Sequence, residues 1–533
     1  MDCTATSLSY RQTNYFSKIV LDYIEEPAKL ASFFSYPPSL EGIRKSVEDR
    51  KKTTVDRNAL VQELKKQYEG VVSSPVVEDK IQSLLSENTF TVTTAHQPNI
   101  FTGPLYFLYK ILHTIKLAEY LSASLPGSKF VPVYYMGCED ADLDELGHIY
   151  LGGEKLSWQT KQTGAVGRMQ VDKELLRLID IMEGQLLSEP HGREVIALIR
   201  NAYKTGDSVQ AATFRLVHAL FGKYGLIVLI PDNATLKGKM LEVFRDDLLN
   251  QKPSAIVHDT SKKLEALYKV QANPRDINLF YLKDNIRARI EIKHDRYEVV
   301  NSNISFSKDE LLKELNDHPE RFSPNVILRG LYQETILPNI VFIGGGGELA
   351  YWLELKDLFV HYNVPYPVLL LRNSFLLIEQ KWQDKIDKMH FTAADFFLSE
   401  QELLNKLVAR ESKHEIKLNG SLVQVEKIYE DFKKQAAEID QTLAPHVDAL
   451  KARSLQRLQE LEKKMLRAEK RKFADQQRHI NIIKEQLFPK NNLQERIDNF
   501  SYYYAKWGSG LIDRLYEHSL SVESKFVILQ ENS

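Results

Sequence analysis

The residues of this 533-residue chain best equipped for chemistry gather in three short stretches, His96–Gly103, Gly137–His148 and Gly344–Glu348. The second holds Glu139, Asp140, Asp142, Asp144, Glu145 and His148. Carboxylates so close together can bind an ammonium group, hold a hydrated magnesium ion or serve as a general base. The competing reading is a capping cluster for the short helix that follows, to which Asp144, Glu145 and His148 belong. That leaves Asp140 and Asp142 as the candidates for ligand contact. Cys138 adjoins them and could be a nucleophile activated by His96 or His148, although a free cysteine is more often a small buried hydrophobe.

The glycines before Glu348 lack the Lys-Ser or Lys-Thr of a phosphate loop, and they lack the GxGxxG spacing. They offer close backbone approach to a ligand at a helix start, with Glu348 as a fixed carboxylate. A plain tight turn, with Glu348 complementing the helix dipole, weighs equally. In the first stretch Pro104 suits the first position of a helix, and Thr102 can cap it. Free N–H groups at Thr102 and Gly103 would then form an anion site, unless this is simply the first strand–helix unit of the domain. His96 is an acid/base or oxyanion-donor candidate. Arg329 and Arg372, each expected at a strand end, are forks for carboxylate or phosphate, or else structural ion-pair partners.

Buried strands are expected at Phe90–Ala95, Phe130–Met136, Gly225–Ile230, Val326–Leu328, Ile340–Ile343 and Pro365–Leu371. Helices are expected from Pro104 to Leu121, Val171 to Tyr203, Leu236 to Asn250, and after the glycines. Strands that alternate with helices imply an open parallel sheet, with ligands at the carboxyl ends of the strands. All three polar stretches fall at such ends and would converge on one crevice. Residues 279–300 alternate apolar and polar positions, the signature of antiparallel strands in an inserted module. Residues 1–89 read as mainly helical.

From Phe391 the chain becomes helical and charged. Val425, Tyr429, Phe432, Ala436, Ile439 and Leu443 mark a heptad seam. Pro445 breaks it, and a second helix runs from His446 to Phe488 with a slip near Lys472. Together they form an antiparallel hairpin. Nine Lys or Arg face three Glu between Lys451 and Lys472, but no aromatics interleave, so a solvated face is favoured over a nucleic-acid patch. The domain plan is 1–150 (N-terminal helices and first half of the core), 151–210 (connecting insert), 211–260 (core), 261–325 (insert with antiparallel strands), 326–390 (second half of the core) and 391–533 (helical coiled coil).

Composition sets outer bounds. A 43% hydrophobic and 27% charged chain is that of a globular protein. A net charge of −2 gives no global field toward nucleic acid or an anionic membrane. Two cysteines rule out a disulfide framework and fit a reducing cytoplasm. Mean hydropathy is −0.33, and neither a membrane-spanning run nor a signal peptide is evident.

Several segments, in order, resemble the bacillithiol biosynthesis cysteine-adding enzymes, a family of bacterial cysteine ligases. They are Thr94-Ala-His-Gln-Pro-Asn-Ile-Phe-Thr-Gly-Pro-Leu-Tyr, Gly137-Cys-Glu-Asp-Ala-Asp-Leu-Asp-Glu, SPNVILRGLYQETILPN from Ser323, Gly346-Gly-Glu-Leu-Ala-Tyr-Trp, Arg372-Asn-Ser and LQER from Leu493. The family commonly has Gln-Gln at His96–Gln97, Gly-Pro-Gly-Glu at Gly345–Glu348 and Asp-His-Asp at Asp140–Asp142. It usually has another small residue at Cys138, which argues against a catalytic thiol. The resemblance implies an α/β fold: a Rossmann-like nucleotide-binding core like that of class I aminoacyl-tRNA synthetases, with connecting inserts and a C-terminal coiled coil that forms a homodimer. It implies amide formation between cysteine and glucosaminyl-malate, the last step of bacillithiol biosynthesis.

A carboxylate needs activation to condense with an amine, so ATP is expected, through a cysteinyl-adenylate or cysteinyl-phosphate. Mg2+ could accompany it, and no resident metal site is expected. Asp140, Asp142 and Glu348 are the catalytic candidates. His96, Gln97, Thr102, Gly103, Gly345, Gly346, Gly347, Tyr351, Trp352, Arg329, Arg372 and Ser374 are the binding candidates. The alternatives are a nucleotidyltransferase acting on another small acid, and a non-catalytic scaffold that docks through the hairpin.

Overall fold

The computed structural model describes residues 2–71, 74–412, 414 and 417–532, and divides into two compact units, 1–377 with 492–533, and 378–491. In the first, five parallel strands lie in the order Val368–Leu371, Asn339–Gly344, Thr89–His96, Lys129–Met136, Ile227–Leu229. The chain fills one side of the sheet from Thr89–His96 outward, then crosses back to fill the other from Asn339–Gly344. The strand order therefore reverses between these two central strands. Side connections leave a crevice at the carboxyl ends where such a reversal occurs.

Thr89–His96 is a central strand with a polar look, TFTVTTAH. β-branched threonines suit a strand, and their hydroxyls are paired in the interior. Thr91 and Thr93 Oγ1 donate to Asn339 Oδ1 at 3.1 and 2.8 Å, and Thr94 Oγ1 donates to Ile343 O at 2.8 Å. These bonds tie the two strands that flank the reversal. The helix that follows, Tyr106–Ser124, is buried over most of its surface, with Phe107, Leu108, Ile111, Leu112, Ile115, Leu117 and Leu121 in the core.

Residues Leu279–Lys283, Ile286–Lys293 and Arg296–Val299 form an antiparallel meander in a separate five-stranded sheet, as the alternation predicts. Val326–Leu328 corrects a sequence expectation, because it opens the helix Val326–Ile336 instead of forming a strand. Asn325 caps that helix, its Oδ1 accepting Ile327 N at 2.8 Å. Ile327, Leu328, Leu331, Tyr332 and Ile336 then share one buried face. The expected helix across 171–203 is two, Lys173–Leu186 and Gly192–Ala202. The mainly helical N-terminus also begins with a strand, Cys3–Leu8, paired antiparallel with Phe526–Glu531. Residues 492–533 pack with the first unit.

The second unit holds the helices Asn419–Ile439 and Ala444–Lys470, antiparallel by their contacts. Leu418 N reaches Glu462 at 3.0 Å, Tyr429 OH meets Ser454 Oγ at 2.6 Å, and Lys433 meets Asp448 at 2.8 Å. Pro445 lies in the first turn of the second helix instead of ending the first, where it costs no hydrogen bond. The expected slip near Lys472 coincides with a turn of tighter helix at Arg471–Phe473, before Ala474–Leu487. No helix among the described residues is long and apolar enough to cross a membrane.

Candidate functional site

A cavity of about 590 Å³ opens at the strand-order reversal. His96 and Gln97, at the end of one central strand, form one wall, and Gly345, Gly346, Gly347 and Glu348, after the other, form the opposite wall. Tyr106 and Lys110 come from the helix Tyr106–Ser124, Arg329 from Val326–Ile336, and Tyr351 from Gly346–Trp352. Glu145, Gln271, Arg372 and Arg496 complete the lining.

The charges here are held by specific partners. Lys110 is 2% exposed, and its Nζ donates to Ala95 O at 2.8 Å and pairs with Glu348 Oε2. The same Glu348 oxygen accepts Gly345 N at 2.8 Å, so the carboxylate closes the first turn of its own helix. Burial draws the Lys110 ammonium below its ordinary range, and Glu348 opposes that shift. Arg372 is anchored from behind. Its Nη2 donates to Glu495 Oε1 at 2.7 Å, Nη1 donates to Asn373 O at 3.0 Å and Ser374 Oγ at 3.1 Å, and its guanidinium lies 5.0 Å from the Tyr106 ring centre. Arg329 is on a helix rather than at a strand end, and shares the cavity lining with Tyr351.

Beside this cavity a narrow cleft is lined by Gly137, Cys138, Glu139, Asp140, Arg287 and the same Arg329. Asp140 accepts Gln97 Nε2 at 3.2 Å. Burial pushes the Asp140 carboxyl up, but the charges of Arg287 and Arg329 and the Gln97 bond outweigh it and hold it below the usual range. Asp142 is exposed and caps the short helix Leu143–Leu146, its Oδ1 accepting Glu145 N at 3.0 Å. Glu139 also belongs to a buried cluster. Lys237, 0% exposed, pairs with Glu139 and Asp232 and donates to Glu320 O at 2.9 Å, while Arg168 makes a two-pronged pair with Asp232 at 2.6 Å. Cys138 is fully buried, and desolvation, with the Asp232 and Glu139 charges, lifts its thiol well above the ordinary range. That is the inert cysteine, not an activated nucleophile.

Gly167 packs on this turn, its N bonded to Cys138 O at 3.0 Å. A Cβ there would come within 2.4 Å of Cys138 O and 2.7 Å of Cys138 Cβ. Gly167→Ala is expected to cost about 1–3 kcal/mol, the usual range for overpacking, and to displace the Asp140 turn. Urea unfolding checks the first effect, and loss of protection at the 137–142 amides in hydrogen exchange checks the second.

Not every sequence candidate reaches the cavity. Thr102 is buried, Leu105 rather than Thr102 occupies the cap position, and no side chain caps the helix. The N–H groups proposed as an anion site are used within the turn, Thr102 N to Asn99 O and Gly103 N to Ile100 O. Phe101 and Thr102 adopt left-handed backbone, φ 50° and 69°. Asn499, from the C-terminal segment, clamps the turn by donating to Phe101 O and Gly103 O at 2.9 and 2.6 Å. Trp352 is 1% exposed and packs on Phe342, and Ser374 lies behind Arg372. Lys110, Gln271, Arg287 and Arg496 are not among the sequence candidates, and Glu145, assigned there to the helix cap, lines the cavity. A signal existed for Arg496 in the LQER segment, and for Lys110 as the lone charge in the first turns of a strongly apolar helix. No cluster of three or more His, Cys, Asp or Glu side chains able to hold a metal occurs among the described residues.

Two family descriptions match the chain: "Bacillithiol biosynthesis BshC, N-terminal Rossmann-like domain" over residues 1–373, and the corresponding "C-terminal coiled-coil domain" over 375–531. A protein of Flavobacterium johnsoniae named "Putative cysteine ligase BshC" is 39% identical over 524 residues, spanning 98% of this chain and 99% of its own. Proteins of the same name from Chloroherpeton thalassium and Natranaerobius thermophilus are 30% and 26% identical, over 94% and 96% of this chain and 94% and 97% of their own lengths. A Campylobacter jejuni structure titled as a "putative arginyl t-RNA synthetase" overlaps 84% of this chain and 98% of its own at a TM-score of 0.23 and 10% identity, too slight a likeness to bear on the fold.

Proposed function

The chain belongs to the bacillithiol biosynthesis BshC family, and from that premise we propose that it is a cysteine ligase joining the cysteine carboxyl to the amine of glucosaminyl-malate. The observation that carries this reading is the pairing of a cation-rich cavity with an adjoining carboxylate cleft. Lys110, Arg329, Arg372 and Arg496 outnumber Glu145 and Glu348 in the cavity lining, which suits the malate carboxylates or a polyphosphate. Asp140 faces the cleft beside it.

The reaction forms a C–N bond as the amine lone pair attacks the activated cysteine carboxyl carbon, and the C–O bond to the leaving group breaks. The attacking nitrogen then loses a proton. ATP, as co-substrate, supplies the activation: a cysteine carboxylate oxygen bonds to phosphorus as pyrophosphate or ADP departs. AMP or phosphate is the group that leaves in the C–N step, and the amine proton passes to solvent. The Gly346–Gly347 backbone with Arg496 suits the phosphates. A carboxylate held below its usual range is a weak proton acceptor and a good counter-ion. Asp140 is therefore assigned to the cysteine ammonium, and Glu348, fixed by Lys110 and Gly345 N, to the amine of the second substrate. Asp142 has a capping role and is not assigned to the reaction. The coiled-coil unit leaves Phe432, Ile439 and Leu443 of its seam exposed, at 52%, 84% and 40%, which supports a homodimer formed through that arm.

The test is amide formation by the purified protein from cysteine, glucosaminyl-malate and ATP. Asp140→Asn is expected to raise KM for cysteine and lower kcat/KM about ten- to a hundredfold, the worth of one charge-assisted contact. Folding should be little changed. Absence of amide product with any nucleoside triphosphate would overturn the ligase reading, and unchanged cysteine kinetics in the variant would remove Asp140 from it.

A further inference from the structure

His96 ends the central strand Thr89–His96, lines the cavity and is 7% exposed. Its backbone is committed, with the carbonyl accepting Gly137 N at 2.8 Å and Tyr134 OH at 3.1 Å. Its ring is fixed by Tyr106, edge-on at 5.3 Å between centres, and by Phe107 at the same distance. Nε2 is buried and meets no hydrogen-bond partner. The other polar groups around it differ in this respect. Lys110, Glu348 and Arg372 all have protein partners. A buried polar atom left unpaired is costly; His96 lines the cavity, and a ligand that seats there and draws the ring toward it would supply the missing partner.

We propose that His96 Nε2 is a substrate contact, which donates a hydrogen bond from an uncharged imidazole to a carboxylate oxygen of the ligand held by Arg329 and Arg372. The identity of that ligand as the malate-bearing substrate rests on the ligase reading. The contact itself rests on the cavity, the fixed ring and the unpaired nitrogen. The ring stays neutral for a physical reason. Burial disfavours its charged form, and Lys110 on the neighbouring helix, Arg329 and Arg372 add repulsion, so protonation lies well below the ordinary imidazole range. A neutral imidazole carries one N–H and one acceptor nitrogen. Next to a carboxylate, which only accepts, the tautomer with hydrogen on Nε2 is selected. The arginines supply attraction from a distance, and His96 requires an oxygen at one place. The amide of glutamine has a donor of the same kind, whereas a phenyl ring has none.

The experiment uses the full-length chain with 15N-labelled histidine and L-malate as probe. His96 is identified among the 14 histidines by comparison with His96→Gln. Long-range 1H–15N spectra of the unmodified protein should show His96 neutral and protonated on Nε2 between pH 6 and 8, with that nitrogen and its proton shifting as malate binds. His96→Phe should weaken malate binding tenfold or more and raise KM for glucosaminyl-malate in parallel, with KM for cysteine unchanged. His96→Gln should stay within about threefold of the unmodified protein in all three. Malate that does not bind, or that saturates without moving the His96 resonances, would overturn the proposal, as would His96→Phe binding malate normally. The spectra of the unmodified protein decide the matter even if that variant fails to fold. Shifts on malate binding without amide formation would sustain the contact while refuting the ligase reading.

Discussion

Lys237→Met is expected to destabilise the first unit by about 3–5 kcal/mol, the cost of removing one partner from a buried ion pair. Lys237 is fully buried and is shared by two carboxylates, Glu139 and Asp232, with Glu320 O as its third acceptor. Methionine fills a similar volume, so the loss is electrostatic rather than a cavity. Arg168 still neutralises Asp232 in the variant, but Glu139 loses its direct ion pair and keeps only the weaker influence of Arg287 and Arg168.

The pH dependence gives a second readout. Burial pulls the Lys237 ammonium down, but Glu139 and Asp232 outweigh it and raise it above its ordinary value of 10.5. Its contribution is therefore complete below that value and disappears as pH rises through the higher folded value. Asp232 is opposed by burial, yet Lys237 and Arg168 hold it below its ordinary value of 3.8. Its contribution is present above 3.8 and disappears as pH falls through the lower folded value. Glu139 is raised, because burial and the Asp232 charge outweigh Lys237. Protonating Glu139 therefore relieves the variant, and the gap between Lys237→Met and the unmodified protein should narrow as pH falls from 7 toward 4. Adding Glu139→Gln to Lys237→Met should recover part of the loss at pH 7. Urea denaturation of the three proteins measures each quantity, and a gap below about 1 kcal/mol at pH 7 would show that the cluster holds water or is mobile.

The cluster also bears on what could be read from the sequence. The three polar turns were legible as strand ends because apolar runs precede them, and the reversal between Thr89–His96 and Asn339–Gly344 brings the first and third into one cavity, to which the second adds Glu145. The roles within the acidic stretch were only partly legible. Glu139, Asp140 and Asp142 are near neighbours, yet they serve a buried lysine, the cleft and a helix cap respectively. Which one does which depends on residues nearly 100 positions or more away, Lys237 and Arg287 among them, and local spacing carries no trace of that.

The same limit applies at Thr102. A Thr-Gly-Pro before an apolar helix reads as a cap, but Asn499 from the far end of the chain satisfies the turn instead. Val326–Leu328 shows the opposite failure. Three apolar residues do not distinguish strand from helix, and the deciding signals, the Asn325 cap and the spacing through Ile336, lie outside that window.

Arg329→Met is expected to reduce kcat/KM for glucosaminyl-malate by about 100- to 1000-fold, or roughly 3–4 kcal/mol, the range for losing a buried charge-assisted contact. Arg329 borders both the cavity and the Asp140 cleft. Among the described residues it has no carboxylate within ion-pair distance; Tyr351 in the cavity and Asp140 in the cleft are the groups whose charge it feels. It differs here from Arg372, whose charge is already met by Glu495. Arg372→Met would strand a buried carboxylate and confound folding with function, whereas Arg329→Met removes a cation whose charge is free to meet a ligand. Its effect on stability should accordingly be small beside its effect on catalysis.

The loss should appear mainly in KM for the malate substrate. A second, smaller effect should fall on cysteine, because Arg329 helps hold the Asp140 carboxyl low. Without it that carboxyl rises, and the pH below which cysteine binding weakens moves upward. Arg329→Lys keeps the charge but not the planar fork, so it should restore the cysteine profile more fully than the malate KM. If Arg329→Met kept kcat/KM for glucosaminyl-malate within threefold of the unmodified protein, the carboxylates would have to be held by Arg372 and Arg496 alone. The cleft and the cavity would then be separate sites rather than two halves of one.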